Sequence, residues 1–145
     1  MENSFILDSN VIVSFFDQND TKHQEAVTVM DSIAGHKNSN IFMAKVSLYE
    51  VIFSLSKIGY SSGEIKDIFF YIGAKYKIVD LSEVACFRHL DGLFGTNEKI
   101  SREILRTNDF IISSIAIDFN AKLVTFDEKM KQKIKRAHPN LIFEI

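Results

Sequence analysis

The stretch Phe5, Ile6, Leu7, Asp8, Ser9, Asn10 limits the fold more than any other part of the chain. Three consecutive apolar residues suit a strand covered on both faces, as in the middle of a parallel sheet. Asp8 follows at once, and an ionisable carboxylate wants water, a cation or a hydrogen-bond donor. The C-terminal end of a buried parallel strand meets both demands. In open α/β sheets that end is also where ligands sit.

The rest of the chain supplies the partners such a strand needs. Residues 41–44, 77–80 and 122–125 read as further strands, and 141–144, introduced by the sole proline Pro139, as a last one. Helical stretches lie between them. A short one follows Asn10. A helix over 22–35 is capped by Thr21 and carries Ala26, Val27, Met30, Ile33 and Ala34 on its inner face. Ser47 opens a helix that Gly59 ends, and Ser61 or Ser62 opens another, to about residue 74. Ser82 caps a helix carrying Val84, Ala85, Phe87, Leu90 and Leu93, and a short helix contains Ile100, Ile104 and Leu105. Asn108 or Thr107 begins a helix with Ile111, Ile112, Ile115, Ala116 and Phe119 inward, and Asp127 caps a basic helix to about residue 137. Strands that alternate with helices pair in parallel, with helices on both faces. Hairpins need tight turns between strands, and the sequence offers none.

Four carboxylates stand at element ends. Asp8 follows the first strand and Asp127 the fourth. Glu50 falls in the first turn of the helix after the second strand, and Asp109 in the first turn of the helix that feeds the fourth. A crossover helix runs antiparallel to its strands, which brings Asp109 to the same edge. Four like charges this close raise one another's pKa unless a cation neutralises them. All-oxygen ligands select Mg²⁺ or Mn²⁺. Such an ion binds a phosphate oxygen and lowers the pKa of a bound water, the chemistry of phosphodiester hydrolysis. Asn10 and Thr125 offer neutral oxygens or orient water.

At this point the chain resembles the PIN-domain nucleases. The likeness rests on the apolar strand with Asp8, Ser9 and Asn10; on Ser47, Leu48, Tyr49, Glu50; on Asn108, Asp109, Phe110, Ile111, Ile112; and on Leu123, Val124, Thr125, Phe126, Asp127. The four acidic positions are filled in the family's order, and the likeness covers nearly the whole chain. It implies an α/β fold, a three-layer α/β/α sandwich whose parallel five-stranded sheet has the order 3-2-1-4-5. It implies RNA as substrate, cut to leave a 5′-phosphate. Many small members resemble VapC-type toxins of toxin–antitoxin pairs, so an antitoxin protein and a second copy of the chain are the partners it implies. The stretch 91–107 is longer than the connection in the commonest small members, which bears on substrate choice and partner fit.

Structural readings stand beside these. Asp8 and Asp127 each suit an N-cap, Asp109 suits the positive end of a helix, and Ser47 with Glu50 forms a capping box. Four caps account for four residues but not for their convergence on one edge. Lys129, Lys131, Lys133, Lys135 and Arg136 read as a solvated helix face, with Lys129 and Lys133 as candidates to contact RNA phosphates. Phe15, Phe16 or Tyr49 could stack on a base. Cys86 and His89 lack the further ligands a zinc site needs. A phosphatase of the haloacid dehalogenase type also opens on a strand and an Asp, but wants a second Asp where Asn10 stands. A non-catalytic binding module with the same fold is the other alternative.

Length and composition fit these readings. A chain of 145 residues makes one compact domain, 1–145, and 46% hydrophobic content gives it a sizeable core. The net charge of −2 argues against a strongly basic nucleic-acid binder and leaves room for a local patch. The single Cys86 forms no internal disulfide, no signal peptide precedes the first strand, and no apolar run spans a bilayer. The expected compartment is the cytoplasm.

Overall fold

A computed structural model of the chain describes residues 3–82, 84–85 and 107–145. Four parallel strands, β1 (Ser4–Leu7), β2 (Asn40–Ala44), β3 (Lys77–Val79) and β4 (Lys122–Val124), form one sheet in the order β3-β2-β1-β4. β1 pairs with β2 on one side, Ile6 opposite Phe42, and with β4 on the other, Ile6 opposite Leu123. That central position is what the apolar run demanded: Ile6 and Leu7 are wholly buried. The helices among the described residues are α1 (Ser9–Phe16), α2 (His23–Ala34), α3 (Lys45–Ile58), α4 (Ser62–Lys75), α5 (Thr107–Asp118) and α6 (Glu128–Ala137).

Side chains alternate across the sheet, and each set meets its own helices. Phe5, Leu7, Met43 and Val124 pack with Val11 and Ile12 of α1, Ile33 of α2, Leu55 of α3 and Ile72 of α4. Ile6, Phe42, Ala44 and Leu123 point the other way, onto Ile112 and Ile115 of α5 and Met130 and Ile134 of α6. The result is the expected three-layer α/β/α sandwich.

Some boundaries differ from the sequence reading. The fifth strand is reduced to one parallel bridge between Leu123 and Ile142, with Leu123 N–H donating to Leu141 O and Phe143 N–H to Leu123 O. The order is thus 3-2-1-4 with that bridge in the fifth place. α2 begins one residue late, after Lys22, whose N–H bonds to the Asp20 carboxylate, and Thr21 is not its cap. α3 begins at Lys45, before Ser47, with no side-chain cap. The capping box expected of Ser47 and Glu50 is therefore not formed; one appears at Ser61 and Glu64, which opens α4. Gly59 ends α3 in the left-handed region, at φ 111°. Phe119, expected inward, is largely exposed at the end of α5, its ring against Phe42. The short helix about Ile100, the pair Cys86 and His89, and most of the stretch 91–107 lie outside the described residues.

Candidate active site

β1 and β4 are adjacent, yet two further strands intervene between them in the chain. The crevice past their C-terminal ends is thus a topological switch point, where α/β sheets take their ligands. Asp8 sits there as the first residue after β1. Its N–H donates to Val124 O at 2.9 Å, which carries the β1–β4 ladder one step further and pins the backbone. Its side chain accepts from Ser9 N–H at 2.8 Å, from the Thr125 hydroxyl at 2.7 Å and from Asn10 Nδ2 at 3.2 Å. All three donors are neutral.

Asn10 and Thr125 tie the two strand ends together. Asn10 Oδ1 accepts from Phe126 N–H at 3.1 Å, and its amide also lies 3.3 Å from Thr125 Oγ1. Thr125, fully buried, accepts from Asp127 N–H at 3.1 Å while donating to Asp8. The sequence suggests these two as sources of neutral oxygens or as groups that orient water; in the fold they bridge Asp8 to the β4 end.

Glu50 comes from α3. Because that helix starts early, Glu50 lies in its second turn rather than its first. One carboxylate oxygen accepts from Ser9 Oγ at 2.6 Å and the other from Asn108 Nδ2. Ser9 and Asn108 stand within the sequence motifs, but nothing local in the sequence gives them a part in the site. Their signal was weak: a small hydroxyl after a strand-end Asp and an amide beside an acid are common helix-start residues. Asp109 is in the first turn of α5, its carbonyl accepting from Ser113 Oγ at 2.6 Å.

Electrostatics link three of the four acids. The Asp8 carboxyl is pushed up to about 6, chiefly by burial; its bonds from Thr125 and Ser9 oppose the shift, and the charges of Glu50 and Asp109 add to it. Asp127 joins differently. It is exposed and caps α6, its Oδ1 accepting from Met130 N–H at 3.0 Å, and its link to Asp8 runs through its own N–H and Thr125.

The donor set suits a hard divalent cation. Asp8 is a buried carboxylate with two like charges in reach, and its neutral donors offset only part of the burial penalty, so a cation there would remove the remainder. Among the described residues no three His, Cys, Asp or Glu side chains close into a ready-made cage. A cleft of about 490 Å³ opens at the other end of the sheet, where β1 and β4 begin. It is lined by Asn3, Asn120, Lys122, His138 and Asn140 but by none of the acids, so it does not serve this chemistry.

Lys129 is exposed and Lys133 half-buried on α6, the helix that starts at Asp127. Tyr49, next to Glu50, is half-exposed, whereas Phe15 and Phe16 pack on the core.

A family model described as PIN domain matches residues 5–135. Solved structures of similar fold include VapBC2 from Rickettsia felis bound to a DNA fragment from its promoter, with a TM-score of 0.65 and 23% identity over 97% of each chain. A toxin–antitoxin complex from Klebsiella pneumoniae has a TM-score of 0.65 and 16% identity, over 97% of this chain and 96% of that one. VapBC-1 from nontypeable Haemophilus influenzae has 0.64 and 20%, over 92% and 93%. At these identities the likeness speaks for the fold. No curated protein matches the chain in sequence.

Proposed function

The chain belongs to the PIN domain family, and we propose that it is a divalent-metal-dependent endoribonuclease, the toxin of a toxin–antitoxin pair. The observation that carries this reading is Asp8: a carboxylate buried at a switch point, held only by neutral donors, with Glu50 and Asp109 close enough to raise its pKa. Asp8, Glu50, Asp109 and Asp127 are the residues that would hold Mg²⁺ or Mn²⁺. When bound, such an ion offsets charge on a phosphodiester and lowers the pKa of a water.

The chain's own residues do the positioning. Thr125 and Ser9 fix the Asp8 carboxylate in one orientation, and Ser9 and Asn108 fix both oxygens of Glu50. Asn10 keeps the ends of β1 and β4 at a set separation. Hydrolysis adds one water across the bond: its oxygen joins phosphorus, the 3′-oxygen leaves with a proton, and the product carries a 5′-phosphate. A phosphatase of the haloacid dehalogenase type is disfavoured because Asn10, at the place of its second Asp, is occupied with Phe126 N–H and Asp8.

The named neighbours are toxin–antitoxin complexes, which supports an antitoxin protein as partner. The exposed aromatics Tyr49 and Phe53 on α3 and Phe70 on α4 supply apolar surface for that partner or for a second copy of the chain. Among the described residues no helix is long and apolar enough to cross a membrane, in keeping with a cytoplasmic protein that acts as one domain over 1–145. Purified protein with Mn²⁺ is expected to cleave RNA, and Asp8→Asn is not. Equal cleavage by the two proteins overturns the reading, and no cleavage by either favours a non-catalytic binding module.

A further inference from the structure

The five basic residues of α6 do not form one uniform face. Lys131 is buried and its ammonium pairs with Glu128 at 3.1 Å; Lys135 pairs with Glu144. No ion pair claims Lys129, Lys133 or Arg136 among the described residues. At 3.6 residues per turn these three fall within about 60° of arc, on a flank roughly a third of a turn from Met130 and Ile134, which are buried against the sheet. The two neutralised lysines and Glu128 lie together on another flank. An overall anionic chain thus concentrates three uncompensated cations along one line of one helix, over a rise of about 10 Å. That line begins two residues past the α6 N-cap Asp127, whose N–H is bonded to the Thr125 hydroxyl that in turn holds Asp8.

We propose that Lys129, Lys133 and Arg136 form a phosphate track that holds the backbone of a single RNA strand as it leaves the acidic edge. This rests on the nuclease reading above and names how its substrate is bound. The acids at the edge repel a polyanion, so the substrate needs cations beside them, and this line supplies them at the site's margin. Two ammonium groups and one guanidinium in a row suit phosphates rather than base edges, so the track gives affinity without sequence preference.

The test is binding of a fluorescent 12-nucleotide RNA without divalent metal, where nothing is cleaved, across a KCl series. Each phosphate neutralised contributes about −0.7 to the slope of log K against log salt for a single strand. The triple variant K129Q/K133Q/R136Q is expected to flatten the wild-type slope by about 2, K133Q alone by about 0.7, and K135Q by nothing. Circular dichroism checks that each variant folds. Equal slopes for wild type and triple variant overturn the track. So does loss of polyglutamate binding with an unchanged RNA slope, which gives the face to an acidic protein. Cleavage with Mn²⁺ is scored separately: a flattened slope without any wild-type cleavage supports the track and rejects the nuclease.

Discussion

The Thr125 hydroxyl donates to Asp8 Oδ2 at 2.7 Å, across 117 positions of sequence and from the neighbouring strand end. This one bond opposes the burial that raises the Asp8 pKa. Thr125→Ala is expected to cost roughly 1–3 kcal/mol, because it leaves a buried carboxylate oxygen short of a donor. Thr125→Ser is expected to restore most of it. Urea unfolding of the three proteins at pH 7 checks this.

The Asp8 shift also sets a pH dependence. Its carboxyl titrates at about 6 in the fold, above its ordinary value of 3.8, so between those pH values the folded chain binds more protons than the unfolded one. Stability from this group is therefore full below about pH 4 and is lost as pH rises through 6, by roughly 3 kcal/mol in all. The exposed Glu64 and Glu144, both held below the usual carboxylate value, work in the opposite direction at lower pH. In metal-free buffer, unfolding of wild type and Asp8→Asn at pH 4.5 and 7 is expected to show the difference: the variant gains on wild type as pH rises.

Asn108 fixes one oxygen of Glu50 from the start of α5. Groups that orient ligands in this way are worth about 10–100-fold in metal affinity or activity. Asn108→Ala is expected to lower Mn²⁺ affinity by about that factor, read as a smaller Mn²⁺-induced rise in melting temperature. An unchanged Mn²⁺ response removes Asn108 from the site.

Ser61 provides a control far from the acids. It caps α4 and shares a capping box with Glu64. Ser61→Ala is expected to cost about 1 kcal/mol of stability and no cleavage activity. Thermal melts and an RNA cleavage assay on the same sample separate damage to the fold from damage to the site.

The central strand was the most legible part of the sequence, because Phe5, Ile6 and Leu7 admit few places in a fold, and the edge carrying Asp8 follows from it. Helix starts were less so. Ser47 lies close to the start of α3 and carries a capping sequence, but β2 runs straight into that helix at Lys45, and burial of Ser47 against the fold overrides its local preference. The fifth strand is a similar case: Leu141, Ile142 and Phe143 carry a strand-like sequence, yet only Ile142 pairs, in one bridge to Leu123. The clamp on Glu50 could not be read at all. Ser9, Glu50 and Asn108 are brought together only by the packing of α1, α3 and α5 at one sheet edge, a long-range relationship that no local pattern encodes.

The proposed chemistry requires negative oxygens gathered past the ends of β1 and β4 to share a divalent ion. Crystals soaked in Mn²⁺ and measured at the manganese absorption edge test it most directly. The expected result is anomalous density beside the Asp8 carboxylate and within water-bridged reach of Glu50 and Asp109. Density only elsewhere, or none at millimolar Mn²⁺, contradicts it.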